Sequence, residues 1–377
     1  MKFGIVSRRA ESIFSCHGWP TVCRDDDGNL YVGASAFRLY HLCGYGKNAL
    51  WISRNNGETW SCPRIFNDDA LDNRDVGLCY LGEKKILATW FSLPHEFYDH
   101  EHMQAWIEKA EPAVQKAAPA ILDAWKVMPE ELLSVHGSFC RVSEDGGDTW
   151  SEPRKAPVSS PHGPIKLKNG KILYFGKAVK DETDALSNGA IETHISDDEG
   201  KHWKYLSTVS FDKKHFKNIH EPYAIELADG TLLGIIRAQG EEIGELLGDM
   251  CDDLKKYKFT MFKTFSKDGG VTWTKPEPLG FLGAPAHMLL HSSGAIILTY
   301  SRRSVGTQGV FARISYDNGI TFGEETLIGP EAFIWDQGYP STVELDDGSL
   351  FTVYYQRYEN DTFCSLLYTK WDISEVK

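Results

Sequence analysis

The chain has no apolar run approaching the ~18 residues of a membrane-spanning helix, and it has no Cys-x-x-Cys pair. Its first residues, MKFGIVSRRAESIFSC, hold no apolar core followed by a small-residue cleavage site, so no secretory leader is read there. Positive charge is also short: 40 Lys and Arg face 53 Asp and Glu, for a formal net charge of −13. Each shortage excludes something. Without a span, a membrane is not an expected partner. An acidic chain repels nucleic acid at long range, so that partner is set aside too. The eight cysteines are scattered along the chain, as reduced core and strand residues are, and neither disulfides nor a zinc site is expected from them. The expectation is a cytoplasmic protein that needs no cofactor.

Glycine and aromatics are plentiful, with 34 Gly, 11 Trp, 16 Tyr and 19 Phe in 377 residues. Many of them belong to a repeat. SRNNGETW begins at Ser53, SEDGGDTW at Ser143, SDDEGKHW at Ser196, SKDGGVTW at Ser266 and SYDNGITF at Ser315. Their spacings, roughly 50 to 90 residues, are those of propeller blades with insertions. A second repeat runs out of phase: a short apolar strand, an acidic or Gly turn, and another apolar strand. WPTVCRDDDGNLYVGAS, DVGLCYLGEKKILATWFS, GPIKLKNGKILYFGKA, PYAIELADGTLLGIIRA, APAHMLLHSSGAIILTYS and YPSTVELDDGSLFTVYYQ make six hairpins. Each box then reads as the turn from a third strand into a fourth: its Asp binds backbone N–H groups, its Gly permits the bend and its Trp packs between sheets. The fold expected is all-β, a single six-bladed β-propeller over residues 1–377. Blade 6 lacks a box; its third strand falls on TFCSLLYTKWD and its fourth on the N-terminal MKFGIVS, which closes the ring.

Two segments interrupt the pattern. Residues 94–136, in blade 2, carry apolar residues at helical spacing from Met103 to Trp125, with Pro112 and Pro119 expected to divide them into short helices. Residues 240–257, in blade 4, also read as helical. Both are either surface decoration or a rim over a central pocket.

In a propeller the innermost strands begin near the axis, so the residues entering them converge. Those entries offer His17; Asp72, Arg74 and Asp75; His162; His220 and Glu221; His287; and Asp336 and Tyr339, most of them beside Gly or Pro. A packed channel favours apolar fillers, so polar titratable groups at all six entries point to a ligand or catalytic site. Several His with Asp75 also raise a divalent metal as a thought, but no short ligand spacing such as His-Glu-x-x-His supports it.

The boxes and blades together resemble the sialidase (neuraminidase) superfamily along essentially the whole chain. HEPYAIELADGTLLGIIRAQ is similar to the blade that carries a catalytic Glu and a substrate-binding Arg, here Glu221 and Arg237. GYPSTVELDDGSLFTVYYQ is similar to the blade that carries the catalytic Tyr, here Tyr339. The resemblance implies a Tyr339–Glu221 nucleophile–base pair. It also implies three Arg for a substrate carboxylate, and here the chain departs. Gly18 of HGWPTV stands at the first. GAPAHM brings His287 at the third, with Arg302 and Arg303 at the end of the next strand as substitutes if they reach inward. The blade-1 loop RLYHLCGYGKNAL supplies Arg38, His41, Tyr45 and Lys47 but no acid/base Asp, and Gln356 stands where the last hairpin closes on Glu. The expected activity is therefore a glycosidase on a carbohydrate other than an ordinary sialoside, acidic sugars included. Asp75 or His41 is its candidate general acid. Arg74 and Arg237, with His17, His162, His220, His287, Asp336 and Arg302, are candidate substrate contacts. A polysaccharide lyase using His220, Tyr339 and Arg237, and a non-catalytic carbohydrate-binding propeller, are the rival readings.

Overall fold

The computed structural model describes residues 1–99, 104, 107–178, 190–211, 219–239, 259–303 and 306–376. They form six four-stranded antiparallel sheets. Blade 1 is β2 (Cys16–Arg24), β3 (Leu30–Arg38), β4 (Lys47–Ser53) and β5 (Arg64–Asn67); blade 2 is β6 (Asp72–Gly82), β7 (Lys85–Leu93), β8 (Gly137–Ser143) and β9 (Arg154–Lys155). Blade 3 is β10 (Ile165–Lys166), β11 (Ile172–Lys177), β12 (Ile191–Ser196) and β13 (Lys204–Thr208); blade 4 is β14 (Ile219–Glu226), β15 (Leu232–Gln239), β16 (Phe259–Ser266) and β17 (Glu277–Leu282). Blade 5 is β18 (Ala286–Leu290), β19 (Ile296–Arg302), β20 (Gly309–Ser315) and β21 (Thr326–Leu327). Blade 6 takes β22 (Gly338–Glu344), β23 (Leu350–Arg357) and β24 (Cys364–Trp371), and its outer strand is β1 (Lys2–Ser7). β1 runs antiparallel to β24, with Lys2 opposite Lys370 and Ile5 opposite Leu367, so the N-terminus closes the ring as expected. The inner strands adjoin round the axis, β2 against β6 and β22, and β18 against β14 and β22.

The boxes explain the stacking of the blades. In each, the Ser hydroxyl donates to the Asp or Asn two residues on and accepts from the Gly N–H four residues on: 2.8 Å and 2.8 Å at Ser143, 2.8 and 2.9 Å at Ser196, and 2.8 and 2.8 Å at Ser266. The same carboxylate or amide oxygen accepts a further backbone N–H, from Thr59, Thr149, His202, Thr272 or Thr321. The turn is thus satisfied by its own short polar side chains. Each box Gly has φ between 80° and 92° and faces the preceding blade. A Cβ on Gly57 would lie 2.5 Å from the Phe351 ring of blade 6, one on Gly147 2.4 Å from Leu50 of blade 1, and one on Gly319 2.4 Å from Leu233 of blade 4. Box tryptophans fill the same seams, Trp150 stacking on Phe66 at 4.7 Å and Trp273 lying 4.6 Å from Phe175. Gly57→Ala combines a left-handed backbone with a ring clash, so it is expected to destabilise the fold by about 1–3 kcal/mol, read as a lowered denaturant midpoint.

In the blade-2 insertion, helices span Glu96–Asp99, Pro112–Trp125 and Glu130–Leu133. Pro112 starts the second of these, but Pro119 lies inside it and does not divide it, contrary to expectation. Burial of Val114, Ala118 and Trp125 against Leu39, Cys43, Leu71 and Leu93 offsets the hydrogen bond lost at Pro119. The second expected insertion, 240–257, lies outside the described residues. The seven described cysteines are free.

Candidate active site

The inner hairpins of four blades share one irregularity. Trp19, Asp75, Glu221 and Tyr339 have φ of 52°, 51°, 49° and 51°. Each sits in a break of strand register: between Gly18 and Thr21, Arg74 and Gly77, His220 and Tyr223, and Gly338 and Ser341. A bulge of this kind re-aims a side chain out of the pleat. A left-handed non-glycine residue costs about 1–3 kcal/mol and persists where its surroundings over-determine it. Gly163, with φ of 76°, sits at the blade-3 entry without a side chain to aim.

Two of these residues meet. The Tyr339 hydroxyl donates to Glu221 Oε1 at 2.5 Å. Arg237 lies opposite His220 across the β14–β15 hairpin, and its Nη1 donates both to Glu221 Oε2 and, at 3.1 Å, to the Tyr339 hydroxyl. His220 Nδ1 is 3.6 Å from Glu221 Oε1. Burial opposes the Glu221 charge, but Arg237, His220 and the Tyr339 hydroxyl hold its pKa down at about 2. Burial and the Glu221 charge push the Tyr339 phenol well above its usual range. The resting pair is therefore a protonated phenol on an ionised carboxylate.

Asp75 is the opposite case. Burial, against the pull of Arg74 and with the Glu221 charge adding to it, pushes its pKa up to about 7. Its Oδ1 is buried with no partner among the described residues. Two carboxyl groups at one centre are thus driven apart, one ionised and one able to hold a proton near neutrality.

Guanidinium groups gather round this centre. Arg74 lies 4.2 Å and Arg38 4.7 Å from the Trp19 ring centroid, and Arg303 lies 5.1 Å from that of Tyr339. Arg38 is committed to the fully buried Asp72, which also accepts from Tyr98; Arg74 is 3.5 Å from Asp72 and 3.4 Å from the His41 carbonyl. Arg303 donates to the Gln337 carbonyl at 2.7 Å and to the Tyr355 hydroxyl at 2.9 Å. Tyr355 donates in turn to Asp336, and Asp336 binds His41 Nδ1, both at 2.8 Å.

Arg302 does not reach inward: it donates to the Thr307 carbonyl and to Glu325 and covers Phe311, while Arg303, one residue on, takes the inner face. His17 is fully buried between Phe37 and Trp51, accepting a hydrogen bond from Phe37 N, and burial takes its pKa down to about 3. His162 and His287 pack edge to face at 5.0 Å with Tyr223 stacked on His287, and they bond Thr21 and Thr342 N. Burial lowers both pKa values, so all three imidazoles are neutral, and His17 Nε2 and His162 Nε2 are buried without a partner among the described residues. Asp336 is joined to His41 and Tyr355. Gln356 donates to the carbonyls of Pro330 and Glu331 and braces the loop before β22. Among the described residues no group of three or more His, Cys, Asp or Glu is placed to hold a metal. The sequence offers Arg303 only as an equal of Arg302 and gives no sign of Trp19 or Tyr355; the register of Tyr355 opposite Gly338 is visible only once the strands are paired.

The family model for a BNR repeat-like domain matches residues 123–351, more than half of the chain. No curated protein matches. Among solved structures, a protein of unknown function from Dyadobacter fermentans superposes with a TM-score of 0.74 at 20% identity, covering 99% of this chain and 98% of that one. The K499G mutant of the NanB sialidase from Streptococcus pneumoniae gives 0.70 at 14% identity, over 100% of this chain and 71% of that one. The intramolecular trans-sialidase from Ruminococcus gnavus, in complex with oseltamivir carboxylate, gives 0.59 at 14% identity, over 99% and 97%. At these identities the likeness is one of fold. With five boxes on six closed sheets, the chain belongs to the BNR repeat-like domain family and is built as a sialidase-like six-bladed propeller.

Proposed function

We propose that the axial cluster is the active centre of a glycoside hydrolase that acts on an acidic sugar. The observation that carries this reading is the bulge set: left-handed backbone at Glu221 and Tyr339 accompanies their direct hydrogen bond, and the same kind of bulge holds Asp75, whose pKa the Glu221 charge helps to raise. A packing channel gains nothing from that arrangement. Tyr339 Oη attacks the anomeric carbon while its proton passes to Glu221, and the glycosidic C–O bond breaks as Asp75 protonates the leaving oxygen. Water then hydrolyses the tyrosyl-linked sugar, the proton on Glu221 returns to Tyr339, and Asp75 recovers its own from the water. Arg237, at 3.1 Å from the phenol oxygen, steadies the charge that develops there. Arg74, Arg237 and Arg303 supply the cations for a sugar carboxylate, which favours an acidic over a neutral ring.

The test is a panel of aryl glycosides of acidic and neutral sugars. Release of the aryl group from acidic members, lowered at least about tenfold by Arg303→Met, supports the reading. An unsaturated uronate absorbing in the near ultraviolet would reassign the centre to elimination. Binding without any release would make the protein a carbohydrate-binding propeller.

A further inference from the structure

A cavity of about 510 Å³, lined by neither Tyr339 nor Glu221, lies between the blade-1 loop, the loop before β22 and the helical insertion. Its size is that of a small-molecule site. Its floor is the His41–Asp336 pair; the insertion roofs it at Lys109–Val114. Burial lowers the His41 pKa in spite of Asp336, whereas Asp336, against the effect of its own burial, is held below the usual carboxylate range by the hydrogen bond from His41 and the nearby Arg303 charge. The imidazole is therefore neutral, donates through Nδ1 to an ionised carboxylate, and presents Nε2 as an acceptor for a hydroxyl. Trp335, 45% exposed, lines the cavity with its ring 5.3 Å from that of His41.

Arg357 supplies the selectivity. It lines the cavity, is half-buried, and has a buried Nε with no partner among the described residues. It takes part in no described ion pair. A half-buried guanidinium facing a cavity beside an aromatic plate suits a carboxylate on a hydroxylated ring. Lys109 adds positive charge at the rim, and Glu111 is the exposed acidic neighbour.

We infer that this cavity is a second ligand site, separate from the axial centre, which takes a small acidic sugar with its carboxylate on Arg357, its ring on Trp335 and a hydroxyl on His41. It goes beyond the hydrolase reading and stands whether or not the axial centre turns over. The experiment is a calorimetric titration of D-glucuronate and D-glucose into the full chain, with Arg237→Met used to silence the axial site. The Arg237→Met protein is expected to retain glucuronate binding, at least tenfold tighter than glucose. Adding Arg357→Met, or in a separate protein the exposed-site change Trp335→Ala, is expected to weaken it about tenfold or more. Complete loss in Arg237→Met, equal affinity for the two sugars, or no effect of either cavity substitution overturns the assignment. An absence of aryl glycoside turnover would defeat the hydrolase reading and leave this one untouched.

Discussion

Replacing Tyr339 by phenylalanine is expected to lower kcat/KM by at least about a thousandfold, with little change in stability. The ring that remains still fills its place, 6.3 Å from Trp19 and 6.0 Å from Tyr355, and the backbone φ of 51° is equally hard for either residue. Only the hydroxyl goes, and with it the 2.5 Å hydrogen bond to Glu221 and the atom proposed to bond the sugar. Glu221 keeps Arg237 as its partner, so no buried charge is stranded. Steady-state kinetics with a responsive aryl glycoside, paired with a thermal melt, separate the two effects. A large fall in melting temperature would make Tyr339 a structural residue; unchanged turnover would remove it from the chemistry.

Asp75→Asn carries the second large effect. With a pKa of about 7, the Asp75 carboxyl is protonated below neutrality and loses its proton as pH rises through 7. A general acid in that state gives high activity on the acid side and a falling limb near pH 7. Asparagine cannot donate that proton, so the limb is expected to vanish. kcat is expected to fall about 10²–10⁴-fold for poor leaving groups and far less for an activated aryl group, which needs no proton. Stability should move the other way. Because the folded pKa lies above the unfolded one, ionising Asp75 costs stability as pH rises from about 4 to about 7, and that cost persists above pH 7. Asp75→Asn removes it, so the variant is expected to melt higher than the parent at pH 8. A variant that loses stability at pH 8 while keeping the alkaline limb would contradict the role assigned to Asp75.

The architecture was legible because its determinants are local. Ser143, Asp145 and Gly147 make their turn with one another, so their spacing in sequence already encodes the contact, and five such turns encode the ring. The site was only half legible. Glu221, Arg237 and Tyr339 were found through motif and resemblance. Which entry residue faces the axis, however, depends on a one-residue bulge. At the blade-3 entry the left-handed position falls on Gly163, and His162 turns into the packing with Tyr223 and His287 instead. Histidine beside Gly or Pro reads the same in either case. Arg302 and Arg303 show the same problem of parity: neighbouring residues on one strand face opposite ways, and the sequence does not number the faces. The His41–Asp336 pair joins residues 295 apart, across blades 1 and 6, where no spacing pattern reaches.

The proposed chemistry turns on a covalent bond between Tyr339 and the sugar. The most direct measurement is mass spectrometry of the protein after reaction with activated fluorinated glycosides of acidic sugars, which slow release of the glycosyl group. One added glycosyl mass is expected, carried by the peptide containing Tyr339 and absent from Tyr339→Phe. A glycosyl group mapped to any other residue, or turnover with inversion at the anomeric carbon, would contradict it.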